Sequence, residues 1–179
     1  MTGVQTCALP ISPPPVCNSQ KGKNCRKMRA LIFFLVLSLA VASVISKQIS
    51  FQNCTESREL GEITSIDLTP CDQDPCTLKL GSNETVTINF IPHEVVTSAE
   101  INAYAIFESE RIPLPVPERD ACQGHGLTCP LKSGVPVEFV YTIYLSPDFP
   151  SGIKLQLKVE FMDQDNNSLI CGIVSLQIA

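Results

Sequence analysis

Two histidines, two close pairs of aspartates and nine cysteines are the side chains in this 179-residue sequence whose types and spacing could do chemistry. His93 follows Ile91-Pro92 at a turn after an alternating apolar run, and His125 sits between Gly124 and Gly126. Nucleophilic or general acid–base work would need a serine or cysteine nucleophile within reach of one of them, and no G-x-S-x-G turn accompanies either. Asp72 with Asp74, and Asp163 with Asp165, are paired carboxylates near turns. A calcium loop would need further oxygen ligands and a distal glutamate at fixed spacing, which neither pair has, so both read as solvated turn residues. There is no glycine-rich phosphate cradle. No catalytic residue is assigned, and the sequence reads as a non-enzyme without cofactor or metal.

The cysteines need a trim before they can be counted. Met28–Ser46 reads as a signal peptide, with Arg29 as a short positive start, an apolar run from Ala30 to Val41, and small residues at Ala42 and Ser46 where cleavage fits. A secretory signal belongs at an amino terminus, so Met28 reads as the start, and residues 1–27 as non-native. Within them Thr2–Ile11 resembles a translated sequencing-library adaptor, and Ser12–Lys27 reads as translated untranslated sequence. Cys7, Cys17 and Cys25 are set aside with that stretch. Six cysteines remain in the expected domain, residues 47–179, and an even count in a secreted domain reads as a disulfide framework with 15 connectivities. Cys71 and Cys76 bracket the turn-rich Asp72-Gln-Asp-Pro75, and Cys122 and Cys129 bracket a loop with two glycines, which favours closing each of these short loops. Pairing each close couple leaves Cys54 with Cys171, a long loop worth about 4 to 5 kcal/mol in the chain-entropy model. Zinc fits poorly, because C-x4-C and C-x6-C are not its common spacings.

Charge and sequons agree with that compartment. The formal net charge is −5, and the segment from Lys47 onward has 8 basic against 18 acidic residues, so there is no basic footprint and no nucleic-acid partner is expected. Asn53, Asn83 and Asn166 each begin an N-x-S/T sequon. The expected location is secreted and extracellular.

The elements that would position all of this are strands. Ile153–Phe161 alternates without a break, with Ile153, Leu155, Leu157, Val159 and Phe161 on one side and Lys154, Gln156, Lys158 and Glu160 towards water. Thr85–Ile91, Ala99–Phe107 and Val137–Leu145 alternate in the same way, and Ile49–Cys54, Glu62–Thr69 and Leu169–Ile178 are shorter candidates. About seven strands with turn signals between them and no helical period predict an all-β sandwich or barrel. Ala99, Ala103 and Ala105 fall on one face, where small residues leave volume or else fit against Phe139 and Tyr141. Pro113, Pro115 and Pro117 occupy alternate positions in Arg111–Glu118 and donate nothing on that side, so the segment is an extended edge: either a blunted one or a stiff apolar lip on a cavity.

These pieces together resemble the MD-2-related lipid-recognition family, at its Niemann–Pick type C2 branch. The carrying residues are Phe51-Gln-Asn-Cys54, Pro70-Cys-Asp-Gln-Asp-Pro-Cys76, Ile112-Pro-Leu-Pro-Val-Pro-Glu-Arg-Asp-Ala-Cys122, Leu127-Thr-Cys-Pro130, Asp148-Phe-Pro-Ser151 and Asn166-Asn-Ser-Leu-Ile-Cys171, spread over residues 49 to 178. The resemblance implies an immunoglobulin-like β-sandwich with three disulfides, Cys54–Cys171, Cys71–Cys76 and Cys122–Cys129. It implies a sterol, or another apolar lipid, carried in a pocket between the sheets and passed to a membrane or receptor acceptor, by a monomer in the extracellular space or the lysosomal lumen. By position it places Leu114, Leu145, Phe149 and Pro150 at the pocket mouth. Leu114 stands where an aromatic is typical, Phe149 where tyrosine is, and Leu145 where valine is, so the pocket stays apolar but changes shape. Other branches imply the alternatives: lipid recognition in innate immunity beside a receptor, or carriage of fatty acids or semiochemicals.

Overall fold

Each alternating segment becomes a strand because the extended chain can turn its apolar residues to one side and its polar residues to the other. The computed structural model describes residues 45–55 and 59–179, so the expectations for residues 1–27 and for the signal peptide up to residue 44 lie outside the described residues. In chain order the strands are β1 (Lys47–Gln48), β2 (Phe51–Asn53), β3 (Gly61–Thr69), β4 (Cys76–Leu78), β5 (Asn83–Pro92), β6 (Glu100–Phe107), β7 (Glu110–Pro113), β8 (Val137–Tyr144), β9 (Lys154–Met162) and β10 (Ser168–Ile178). One sheet runs β1-β3-β5-β8; the other runs β2-β10-β9-β6-β7, with β4 also on β10. Pairing is antiparallel except for β4 with β10. The described residues are all-β, two sheets packed as a sandwich.

All seven expected segments contain a strand, and β1, β4 and β7 are added as short edge pieces. Expected strand Ile49–Cys54 is in fact a switch between sheets. β1 pairs with β3, Ile49 N–H still donates to Ile66 O at 2.9 Å, and β2 then pairs with β10. Asp74 holds the crossing, because its carboxylate accepts from both Ser50 N (2.9 Å) and Ser50 Oγ (2.6 Å). In β3 the register against β5 shifts between Ile63 and Ser65. That bulge lets Ile63, Ile66 and Leu68 all lie buried, although strict alternation would set Ile63 opposite to the other two.

The core lies between the sheets. Phe161 on β9 meets Phe90 on β5 and Phe139 on β8 edge-on, with ring centroids 5.9 and 4.7 Å apart. β3 lies over β10 at close range: a Cβ on Gly172 would stand 3.0 Å from Ile63 Cδ1 and 3.2 Å from Ile66 Cδ1, so glycine is what lets the sheets approach there. Cys54 is joined to Cys171, Cys71 to Cys76 and Cys122 to Cys129, with Cα–Cα separations of 5.5, 5.7 and 5.6 Å.

Two polar expectations need correction. Lys158 does not face water; only 4% of it is exposed. β9 is an inner strand, so its outward side chains lie between neighbours on β6 and β10. Lys158 Nζ lies over the Tyr104 ring, 5.8 Å from its centroid, and 3.4 Å from Glu160 Oε2. Asp163 is likewise buried rather than solvated. It organises the β9–β10 turn, accepting from Asp165 N (2.9 Å) and Asn167 N (2.7 Å).

Candidate functional site

Strand parity fixes what faces the space between the sheets. Val86, Ile88 and Phe90 face it from β5, and their partners Tyr141, Phe139 and Val137 face it from β8. From the other sheet come Leu157, Val159 and Phe161 of β9 with their partners Ala105, Ala103 and Ile101 of β6. Ile112 of β7, opposite Ala105, shares that face.

The two sides of the sandwich differ. Where β3 lies over β10, the interior is shut by the glycine contact described above. On the side of β8 and of β6–β7, side chains with inward parity are nevertheless accessible: Ile143 is 43% exposed, Phe107 40% and Ile112 49%. Alanine at 103 and 105 is too small to reach across and cover them. These large apolar groups stand exposed along the two sheet edges on this side.

Two cavities accompany this interior. One, of about 20 Å³, lies between β3–β5 and β9–β10 and is lined wholly by aliphatic residues, including Ile66, Leu68, Val86, Ile88, Leu157 and Val159, together with Gly172. Its lining is that of the expected apolar pocket, but its volume is close to that of a single water. Facing side chains close on one another in a dry interior because any gap forfeits dispersion contacts. The other, about 440 Å³, is a cleft between β6 and the proline segment, lined by Ile101, Ala103, Tyr104, Leu114, Val116 and Arg119 among others.

The proline segment is therefore an edge and a lip at once. β7 pairs with β6, and Leu114 N–H, between two prolines, donates to Ala103 O at 2.9 Å. The chain then bows out and returns where Ile101 N–H donates to Arg119 O at 2.8 Å. Arg119 pins that return, with its guanidinium 2.9 Å from Glu100 Oε1 and donating to Asn102 Oδ1 at 2.6 Å.

Of the four mouth residues named from sequence, Leu114 is half-buried and lines this cleft. Leu145 is buried immediately after β8, and its N–H donates to Ser82 O at 2.9 Å. Phe149 is 45% exposed in the turn that follows, where its N–H donates to Ser146 O at 3.2 Å, and Pro150 is exposed beside it. These three line neither cavity. Asn53, Asn83 and Asn166 are all exposed. His93 is exposed at the end of β5; His125 is half-buried, its ring 4.8 Å from that of Tyr141 and 5.3 Å from that of Phe139.

Glu84 is the residue that reading the sequence missed. It sits one step before Val86 on the inward face of β5, opposite Ile143, and only 2% of it is exposed. Oε1 accepts from Lys79 N (3.0 Å) and lies 2.8 Å from Ser82 Oγ, whose single proton it shares with Lys79 O (2.7 Å), while Oε2 is buried without a hydrogen-bond partner. Extending the alternation Val86, Ile88, Phe90 backwards by two would have found it.

Carboxyls outside this region are shifted from their ordinary values. Hydrogen bonding to Asp163, then burial, then the charges of Asp163 and Asp165, push Glu94 up. Burial pushes Asp163 up as well, but the donors from Asn167 and Asp165 and the bond to Glu94 outweigh it and hold it below the usual carboxylate range. The Ser50 hydrogen bonds hold Asp74 low.

Comparison with known proteins places this geometry. The ML domain family model matches residues 48–178. The chain is 28% identical over 151 residues to the mouse (Mus musculus) NPC intracellular cholesterol transporter 2, covering 84% of this chain and 99% of that protein. It is 29% identical over 131 residues to the mite group 2 allergen Gly d 2.02 of Glycyphagus domesticus, covering 73% and 98%. Among solved structures it superposes on a Niemann–Pick type C2 protein from the Japanese carpenter ant with a TM-score of 0.68 at 24% identity, covering 73% of this chain and 99% of that one.

Proposed function

The chain belongs to the ML domain family, and on that premise we propose that it is a secreted or lysosomal lipid carrier that binds a sterol between its two sheets and delivers it to a membrane or receptor. The observation that carries this reading is the asymmetry of the sandwich. Its interior holds a wholly aliphatic cavity between β3–β5 and β9–β10, is shut by the Gly172 contact of β3 with β10, and is flanked by exposed Ile143, Phe107 and Ile112 at the opposite edges. A core built only for stability would bury those groups. A rigid, flat hydrocarbon sliding in from that side would cover them, at a gain of about 25 cal/mol per Å² of apolar surface removed from water. The relatives named for cholesterol transport support sterol as the cargo.

That cavity is far smaller than a bound lipid, which needs hundreds of Å³. Loading therefore parts the sheets on the β8 and β6–β7 side, while the close approach of β3 to β10 at Gly172 keeps the opposite one together. Leu114 on the lip, with Leu145, Phe149 and Pro150 after β8, form the mouth in this reading. Catalysis has no part in it.

The test is transfer of a fluorescent sterol from donor to acceptor vesicles. Accelerated transfer, linear in protein concentration, is the expected result. A rate equal to the protein-free control contradicts the proposal.

A further inference from the structure

The buried carboxyl of Glu84 has one oxygen engaged and the other with nothing to meet. Oε1 meets two groups of the β4–β5 turn, Lys79 N–H and the Ser82 hydroxyl, whose proton is shared with Lys79 O. Oε2 is shielded from water and has no partner. A buried acceptor left unsatisfied is unfavourable by more than a made hydrogen bond contributes, so such groups are rare and call for an explanation. Here the position supplies one. Glu84 shares its strand face with Val86 and Ile88, which line the aliphatic cavity, and Val86 lies only about 7 Å further along β5. Across β8 its partner is Ile143, one of the exposed edge residues. The carboxyl thus lies between the entrance and the aliphatic interior, on the face that looks inward.

It is also held firmly. Ser82, whose hydroxyl lies against Oε1, accepts from Leu145 N through its carbonyl, and Gly81 N donates to Leu145 O at 2.7 Å. The turn that grips Glu84 is therefore hydrogen-bonded to the chain just after β8, and the carboxyl cannot swing out to water without breaking those bonds.

Resting on the carrier reading, we infer that Glu84 Oε2 is the polar anchor of the lipid site and selects a cargo that ends in a hydroxyl. A hydroxyl both donates and accepts, so it satisfies the free oxygen whichever side holds the proton. An ether or an ester oxygen offers acceptance alone, and an anionic headgroup meets the carboxyl unfavourably. A carboxyl next to the aliphatic cavity orients the cargo with its polar end at the β4–β5 end of β5 and its hydrocarbon towards Ile88 and Val159.

The test compares two probes on protein purified from eukaryotic cells expressing the full chain: cholesterol and its 3-methyl ether, which keeps the hydrocarbon and loses the donor. The wild type should bind cholesterol about tenfold more tightly, the scale of discrimination that a buried hydrogen-bonding group gives. Glu84→Leu should bring the two affinities together while ether binding persists, and Glu84→Gln should keep part of the preference. Equal affinities for both probes in the wild type overturn the anchor and leave the carrier reading standing. This comparison needs no variant, so a misfolded Glu84→Leu does not remove it. Failure of the wild type to bind either probe overturns the reading of the protein as a sterol carrier and the anchor with it.

Discussion

Leu145 and Phe149 are four residues apart and both belong to the proposed mouth, but their surroundings ask different things of them. Leu145 is 7% exposed, so Leu145→Ala should destabilise the fold by about 2 to 4 kcal/mol, measurable as a lower denaturation midpoint. Phe149 is 45% exposed and supports little of the core. Phe149→Ala should leave the midpoint nearly unchanged and weaken lipid binding by about 1 to 3 kcal/mol, because its ring is covered only when cargo is present. Unchanged affinity in a folded Phe149→Ala protein would remove that residue from the mouth. Glu94 makes a prediction of a different kind. Its folded pKa is raised, so its contribution to stability is complete below the unfolded value, about 4.3, and is lost as pH rises through the folded value. Near neutral pH it repels Asp163. Glu94→Gln should therefore stabilise the protein near pH 7, with the advantage fading as pH falls to about 4, in denaturation curves taken at the two pH values. An advantage that persists in acid would show that the Glu94–Asp163 contact is not electrostatic.

At the scale of elements, β6 is where sequence and function meet. Ala103 and Ala105 sit opposite Val159 and Leu157 and leave the exposed edge residues uncovered. Ala105→Leu should fill that gap, keep the fold within about 1 to 3 kcal/mol of wild type, and lower lipid affinity at least tenfold. Retained affinity would mean that cargo does not pass β6. The strands themselves were legible, since alternation in Ile153–Phe161, Val137–Leu145 and Thr85–Ile91 states both the element and its buried face. What alternation could not state were its exceptions. The bulge after Ile63 and the sheet switch at Ser50 depend on a register and on an Asp74 hydrogen bond 24 residues away. Lys158 was misread because a strand's outward face is wet only if its neighbours are small, and Tyr104 is not. The lip was legible from three prolines; that Leu114 N–H would serve as its hinge to Ala103 O was not, because a hydrogen bond between prolines needs a partner strand to be known. Glu84 broke the pattern of apolar inward residues, and a polar residue at such a position is a signal that alternation analysis discards.

Across the whole molecule, the sandwich is tight on one side and unfinished on the other. Cys54–Cys171 ties residues 117 apart at the tight side, so removing it with a double alanine substitution should cost about 2 to 5 kcal/mol and release β2 from β10. The exposed sequons at Asn53, Asn83 and Asn166 suit a secreted surface, and a mass decrease on enzymatic deglycosylation would show which are used. The central claim is that this domain carries lipid between its sheets, and a mass-spectrometric census of what copurifies with it tests that most directly. The protein would be purified from eukaryotic cells, extracted, and compared with an unrelated secreted control. Sterol enriched to near one per protein is the expected result. Fatty acid or phospholipid at that ratio would keep the carrier and change its cargo. A protein that emerges empty, and then takes up neither added sterol nor added fatty acid, would contradict lipid carriage altogether.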